Sequence, residues 1–139
     1  MSYKIIGKYI KDLNFNIPNP KTFFLLSKNI SNYKINIEIK SSQVKQNIIE
    51  VLTGLSLTST KGEFDKINTK IIYSTIVELK NEKIQKDEIE KIILIKVPSE
   101  IYSELRQIFV FLFKNSGFKD VKINEAVDFE KLYKMRKIQ

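Results

Sequence analysis

Residues 101–113 have the sequence IYSELRQIFVFLF, which predicts a helix that is apolar on nearly every side. An apolar stripe at spacings of three and four residues consists of Ile101, Leu105, Ile108 and Leu112. Phe109 and Phe113 widen this stripe, and Val110 and Phe111 lie on the opposite side. Because one sheet covers only one side of a helix, the sequence predicts that a second structural element packs against the other side of this helix.

Another subunit is the cover that we favour for the far side of this helix. Burying one Phe side chain is worth about 1.5–3 kcal/mol, a large part of a domain stability of about 5–15 kcal/mol. Val110 and Phe111 can alternatively pack beneath the segment Phe23–Leu26 of the same chain. We expect an oligomer, and its interface is expected to include Ile101, Leu105, Ile108, Val110, Phe111 and Leu112.

Segments that precede this helix alternate apolar and polar residues with a period of two, which predicts half-buried strands. The first alternates over Leu13–Ile17 and ends at Pro18. Three more strands are expected at about Tyr33–Lys40, Ile48–Thr60 and Ile67–Leu79. Short connections, among them a turn at Lys61-Gly62-Glu63, predict an antiparallel meander. Residues 21–32 predict a packed loop or a short helix.

The second half of the chain predicts helices. Asp87 favours a helix start, and Pro98 is expected to end that helix. Ser99 is then the expected N-cap of the long helix. This helix would run to about Asn115 and stop before Gly117.

A last helix is expected to begin near Asp128, after an extended piece at Val121–Ile123. Its shared face would carry Phe129, Leu132, Tyr133 and Arg136. Strands followed by helices predict an α+β fold, with a four-stranded antiparallel sheet and helices packed on one face. The length suits a single domain over residues 1–139.

The composition argues against an enzyme. A chain of 139 residues without Cys or His has neither thiolate zinc ligands nor the commonest general base. Its four glycines lie far apart and form no phosphate-binding loop. The carboxylates that might be paired are interpreted as a solvated helix face; they are Glu88, Glu90, Glu100 and Glu104. We therefore expect no catalytic residue, no metal and no cofactor.

The net charge of +8 favours an anionic partner only weakly, because the lysines are scattered and often lie beside acids. A basic C-terminal cluster leaves a nucleic-acid-binding module as an alternative; it comprises Lys131, Lys134, Arg136 and Lys137. The longest apolar run, Ile108–Phe113, has six residues, whereas about 20 span a bilayer. With no signal peptide visible at the N-terminus, we expect a cytoplasmic protein without membrane insertion.

Several segments, in their order along the chain, resemble the SecB family of bacterial protein-export chaperones. Residues 9–19 (YIKDLNFNIPN) are similar to the family's N-terminal signature of a tyrosine, a basic residue, an aspartate, alternating apolar residues and Pro-Asn. Residues 49–52 (IEVL) resemble the family's Tyr-Glu-Val segment. Residues 101–106 resemble its Leu-Phe-Pro-Tyr-Ala-Arg, with Ser103 in place of the proline. Gly117-Phe118 and residues 127–133 resemble the end of the family domain.

This resemblance implies a homotetramer, a dimer of dimers in which long helices lie between two sheets. It also implies an ATP-independent holdase that binds unfolded or precursor polypeptides in apolar grooves, by hydrophobic contact and strand-like pairing. The candidate client-binding residues are Phe23, Phe24, Leu25, Leu26, Tyr33 and Phe64. Ordinary core or sheet packing is the alternative role for each of them.

In the SecB family, acidic residues on the outer sheet face dock the motor protein SecA through its basic zinc-bearing tail. The resemblance places Asp12, Asn16 and Lys70 at such positions, and only Asp12 keeps the acidic character. Since Lys70 would repel a basic partner, SecA is a possible partner that the charge disfavours. A SecB-like chaperone that guards an unstable antitoxin is the alternative.

Overall fold

A four-stranded antiparallel sheet and the helices that follow it form the fold. The computed structural model describes residues 2–29, 33–59, 68–80, 83–118, 123 and 126–138. The strands are β1 (Tyr3–Asn16), β2 (Tyr33–Lys45), β3 (Ile48–Ser59) and β4 (Asn68–Leu79). The helical elements are α1 (Pro20–Asn29), α2 (Lys86–Lys91), a π-helical turn (Ile92–Lys96), α3 (Val97–Asn115) and α4 (Phe129–Ile138). The predicted α+β class with four strands is confirmed.

The strand order is β1-β4-β3-β2, so the predicted meander is right for β2 to β4 and wrong for β1. A tight turn joins β2 to β3, and there Asn47 adopts a left-handed φ of 65° that asparagine tolerates. The predicted turn Lys61-Gly62-Glu63 lies outside the described residues. Because α1 rather than a hairpin connects β1 to β2, β1 is free to pair with β4 at the other edge.

The two faces of the sheet differ in burial. Ile71, Tyr73 and Val77 of β4 are buried, and α3 packs on β3 and β4. The alternate residues Ile72 and Ile76 point to the opposite face and are only half-buried. Directly paired residues of antiparallel strands point to the same face. The strand register therefore assigns each residue either to the helix-side face or to the outer face.

The helix that was predicted to end at Pro98 continues through it. In the π-helical turn the Val97 N–H donates a hydrogen bond to the Ile92 carbonyl, and α3 follows without interruption. A π turn widens the helix and displaces the usual ladder, so Pro98, which has no N–H, fits at the start of α3. The predicted N-cap at Ser99 is wrong, because Lys96 already has helical φ and ψ.

The buried face of α3 is rotated slightly from the predicted stripe. Its fully buried positions lie four residues apart: Val97, Ile101, Leu105, Phe109 and Phe113. Ile108 and Leu112, which the stripe also included, are only half-buried. The helix therefore packs on the sheet through three aliphatic and two aromatic side chains.

Side chains cap the shorter helices. The segment predicted as a packed loop or short helix is the helix α1, and Asn19 Oδ1 accepts a hydrogen bond from the Thr22 N–H at 2.8 Å. At the start of α4, Asp128 Oδ1 accepts one from the Lys131 N–H at 3.0 Å. Of the predicted extended piece Val121–Ile123, only Ile123 is described, and it is buried.

Candidate functional site

An apolar cavity of about 200 Å³ lies between the edge strand β2 and α4. Strand β2 contributes Ile37 and Ile39, and the π-helical turn contributes Leu94. Helix α4 contributes Phe129, Leu132 and Tyr133. Phe129 and Tyr133 are buried, whereas Leu132 is 46% exposed and forms the accessible lip. The cavity is therefore built to attract apolar groups.

The cavity continues along β2 into an open groove of about 530 Å³ that shares Ile39 and Leu94 with it. The further lining residues are Lys40, Ser41, Glu90 and Ile93. We call the two together the β2–α4 groove. An extended strand rises about 3.3 Å per residue, so the wall from Ile37 to Ser41 is long enough for several residues of an extended chain.

A second apolar surface surrounds α1. An open pocket of about 760 Å³ lies beside Phe23, between the end of β1 and the end of α3. It is lined by Phe15, Asn16, Ile17, Pro18, Asn19, Pro20, Phe23 and Ser116. Phe24 is 68% exposed next to it. This surface is more open than the β2–α4 groove.

Touching aromatic rings connect α1 to the core. The Phe23 ring centroid lies 5.0 Å from that of Phe118, which lies 5.7 Å from that of Phe113. Gly117 turns the chain at this point with a φ of 94°, and a Cβ there would lie 3.3 Å from the Phe23 ring. A glycine is therefore required for α1 to pack against the end of α3.

The candidate client-binding residues occupy different environments. Leu26 is completely buried, so it belongs to the core and cannot contact a client. Phe23 and Leu25 are half-buried, and Phe24 is exposed. The side chain of Tyr33 and the whole of Phe64 lie outside the described residues. The residues of the β2–α4 groove were not among the predicted client-binding residues, although Phe129, Leu132 and Tyr133 were predicted to share a helix face.

The candidate docking residues lie on the outer face, as predicted. Asp12 pairs with Ile72, Asn16 with Asn68, and Asn14 with Lys70. These pairs place Asp12, Asn16 and Lys70 on the face opposite Leu13. The Lys70 Nζ lies 3.7 Å from Glu38 Oε2 on β2. The three residues are thus brought to one surface, where Lys70 is already paired with an acid of the same chain.

Hydrogen bonds also satisfy the outer-face carboxylate of Glu50. Its Oε2 accepts a hydrogen bond from Ser74 Oγ at 2.7 Å and one from the Tyr9 hydroxyl at 2.8 Å. Lys11 Nζ donates to Oε1 at 3.4 Å. The hydrogen bond from Ser74, followed by that from Tyr9, holds the pKa of Glu50 below its ordinary value. Glu50 is therefore a satisfied structural group.

A polar contact joins α3 to the helix-side face. Lys8 Nζ donates to Glu104 Oε1 at 2.7 Å, and the Tyr73 hydroxyl donates to Glu104 Oε2 at 3.0 Å. The hydrogen bond from Lys8 is the main reason that the pKa of Glu104 is lowered. Nearby, burial and a hydrogen bond to Glu100 raise the pKa of Tyr3 to about 12.

The lowered pKa of Glu104 predicts a sensitivity to acid. A carboxyl with a lower pKa in the folded state stabilises the fold above its unfolded pKa, and this contribution is lost as pH falls through the folded pKa. Below about pH 4.3 the free energy of unfolding of the parent should fall as Glu104 becomes protonated. We expect a smaller fall in Glu104→Gln, measured by urea denaturation. Glu88→Gln removes an exposed carboxylate on α2 and is the matched control. Equal acid dependence in Glu104→Gln and the parent would contradict the assignment.

The expected interface residues on α3 divide into three groups by burial. Ile101 and Leu105 are completely buried against the sheet of the same protomer, which leaves them no surface for another subunit. Ile108, Val110 and Leu112 are half-buried, and Val110 packs against the protomer's own core. Phe111, by contrast, is 63% exposed, so burial beneath the Phe23–Leu26 segment is wrong for this residue.

Neither a metal centre nor a membrane span is found in the part of the chain that the structure describes. No group of three or more acidic side chains there is arranged to hold a metal ion. No described helix is long and apolar enough to cross a bilayer.

The comparison with protein families is decisive. The family model described as "Preprotein translocase subunit SecB" matches residues 1–139. The chain belongs to the SecB family. The SecB resemblance that was inferred from the quoted segments is therefore confirmed.

SecB relatives match nearly the whole chain. The putative protein-export protein SecB of Pelagibacter ubique is 41% identical over 97% of this chain and 96% of its own length. The protein-export protein SecB of Anaplasma phagocytophilum is 24% identical, over 94% of this chain and 89% of its own. The fold is also that of a solved SecB-like chaperone from Mycobacterium tuberculosis, in complex with a ChAD peptide from the HigA1 antitoxin. That structure has a TM-score of 0.65 and 8% sequence identity, covering 91% of this chain and 88% of that chain.

Proposed function

We propose that this SecB family member is an ATP-independent holdase chaperone for protein export, and that it acts in the cytoplasm. Its clients would be unfolded or precursor polypeptides. The observation that carries this proposal is the β2–α4 groove, an apolar depression that runs beside an edge strand. The proposed function requires the binding of polypeptides and no catalysis.

The groove supports recognition of an extended chain without a fixed sequence. Alternate side chains of an extended segment point the same way. One client side chain can therefore enter the cavity at Leu132, and the side chain two residues further along the client can lie near Ile93. Strand β2 pairs regularly with β3 from Tyr33 to Gln43, and an edge strand can accept a further strand on its other side. Apolar contact and backbone pairing are common to all unfolded chains, which explains how many different clients could bind.

The variant Leu132→Asp tests the groove directly. Leu132 is exposed, so the substitution should leave the fold intact while it places a charge at the groove entrance. Because one buried aliphatic side chain contributes about 1.5–3 kcal/mol, we expect affinity for a labelled unfolded client to fall roughly tenfold or more. Fluorescence anisotropy would measure the affinity, and light scattering would measure the loss of protection against client aggregation.

Met135→Asp is the matched control. Met135 lies on the same helix, is 53% exposed and does not line the groove. We expect this variant to bind clients as the parent does. Equal losses in the two variants would show a general effect of charge on α4, and full activity in Leu132→Asp would remove the groove as the client site. No protection by the parent chain would reject the holdase function itself.

A self-assembly is also part of this proposal. Ile10 and Leu13 pair with Tyr73 and Ile71, which places them on the helix-side face, yet they are 43% and 45% exposed. Together with Phe111 they leave apolar surface on the side of the protomer that carries the helices. A second copy that covers this surface would give a dimer, and a dimer of dimers is the assembly that we propose.

The charge distribution does not favour nucleic acid as the partner. Several lysines of the described residues are engaged by acids of the same chain, as Lys8 is by Glu104 and Lys11 by Glu50. Lys134 of the C-terminal cluster lies 3.6 Å from Glu130. Partly compensated lysines attract phosphates less strongly. Docking of SecA and a dedicated antitoxin client remain proposals. Both depend on the charges of the outer face.

A further inference from the structure

A small slot opens on the outer face above Gly54 of β3. It has a volume of about 100 Å³ and is lined by Glu38, Lys40, Leu52, Gly54, Lys70 and Ile72. Leu52 and Ile72 form apolar sides, and the charged residues form the rim. Since one water molecule occupies about 30 Å³, the slot has room for one branched aliphatic side chain.

The absence of a side chain at Gly54 creates the slot. Gly54 pairs with Ile72 on one side and Glu38 on the other, in the middle of a regular ladder. A Cβ there would lie 3.7 Å from the Glu38 and Ile71 carbonyl oxygens and 3.9 Å from Ile72 Cγ1. These are ordinary contact distances, so neither backbone conformation nor crowding requires a glycine. A glycine inside a strand without such a need often marks a place where another molecule approaches.

The rim carries an excess of positive charge. Lys40 Nζ lies 3.3 Å from Glu38 Oε1, and Lys70 Nζ lies 3.7 Å from Glu38 Oε2. One carboxylate thus faces two ammonium groups, and the side chains of Lys40 and Lys70 are 70% and 44% exposed. The surplus charge can be balanced by a carboxylate from outside the protomer.

We propose that the slot above Gly54 is a docking site for a partner segment with one aliphatic side chain between acidic residues. The aliphatic group fills the slot, and the flanking carboxylates contact Lys40 and Lys70. The slot lies on the sheet face opposite the buried side, apart from the lining of the β2–α4 groove except for Lys40. Docking of such a partner is therefore separable from binding of an unfolded client.

A synthetic peptide series tests the proposal on the full chain. The probe is an acetylated pentapeptide with a central leucine and two aspartates on each side. We expect it to shift the backbone amide NMR signals of residues 38–40, 52–54 and 70–72, and to bind less tightly as salt is added. Replacement of the aspartates by lysines, or of the leucine by serine, should weaken binding about tenfold. Equal or tighter binding of the lysine peptide would overturn the proposal, as would a failure of the aspartate peptide to bind.

The variant Gly54→Val separates the slot from the general charge of the face. Valine suits a strand and fills the slot without changing any charge, so we expect roughly tenfold weaker binding of the aspartate peptide. Ser56→Val adds a similar side chain at the next outer-face position of β3 and should leave binding unchanged. Unaltered binding in Gly54→Val would overturn the proposal. Both variants should still delay client aggregation, which distinguishes a failure here from a failure of the holdase function.

Discussion

Phe113→Ala is expected to cost about 3–5 kcal/mol of stability, which is the usual range for truncating a buried aromatic residue. Phe113 is 1% exposed, and its ring centroid lies 5.0 Å from that of Phe15 and 5.1 Å from that of Phe109. It therefore joins β1, α3 and the segment after α3. Against a total of about 5–15 kcal/mol, this loss leaves a marginal fold.

Phe111→Ala is the matched comparison for this effect, because the two residues share a helix and differ in exposure. Phe111 is 63% exposed, so its truncation should change the free energy of unfolding of the protomer little. Urea denaturation at one fixed protein concentration measures both variants, since assembly makes stability depend on concentration. Similar losses for Phe111→Ala and Phe113→Ala would contradict the packing described for α3.

Phe111→Asp is expected to disrupt the proposed assembly. In an interface between copies, the new carboxylate would lose its water without gaining a partner. A penalty of about 3 kcal/mol corresponds to a dissociation constant raised by roughly two orders of magnitude. Sedimentation velocity over a range of concentrations would show the variant as smaller species at concentrations where the parent is assembled.

Val44→Asp is the control for the assembly experiment. Val44 is 58% exposed at the end of β2, on the opposite edge of the sheet from β1. The same charge placed there should leave assembly unaffected. A parent chain that stays a single subunit at high concentration, or a Phe111→Asp variant that assembles as tightly as the parent, would refute the proposed role of Phe111.

The sequence predicted β3 and β4 well, and β2 as far as Lys40, because their helix-side residues recur at every second position. It missed the first half of β1 for a physical reason. Bulges after Ile5 and after Ile10 add single residues to this strand and shift the pattern of alternation. Pro98 misled the helix prediction in a similar way, because the π-helical turn that accommodates it leaves no simple signal in composition.

The candidate site was predicted only in part. The apolar character of Phe23 and Phe24 could be recognised, but the sequence did not indicate that Leu26 alone of that segment would be fully buried. The β2–α4 groove brings together Ile37 and Phe129, which are far apart in the chain. Tertiary packing decides which faces of such segments meet. Neither period-two nor helical spacing along the sequence indicates which faces these are.

The lining of the β2–α4 groove has a consequence for the influence of temperature on the chaperone. Its cavity is formed by isoleucine, leucine, phenylalanine and tyrosine side chains, so the proposed client capture there would depend chiefly on the release of water from apolar surface. Such binding carries a negative heat-capacity change, and its driving force weakens on cooling. Client capture would thus be stronger in warmth, when unfolded chains become more abundant, and weaker in the cold.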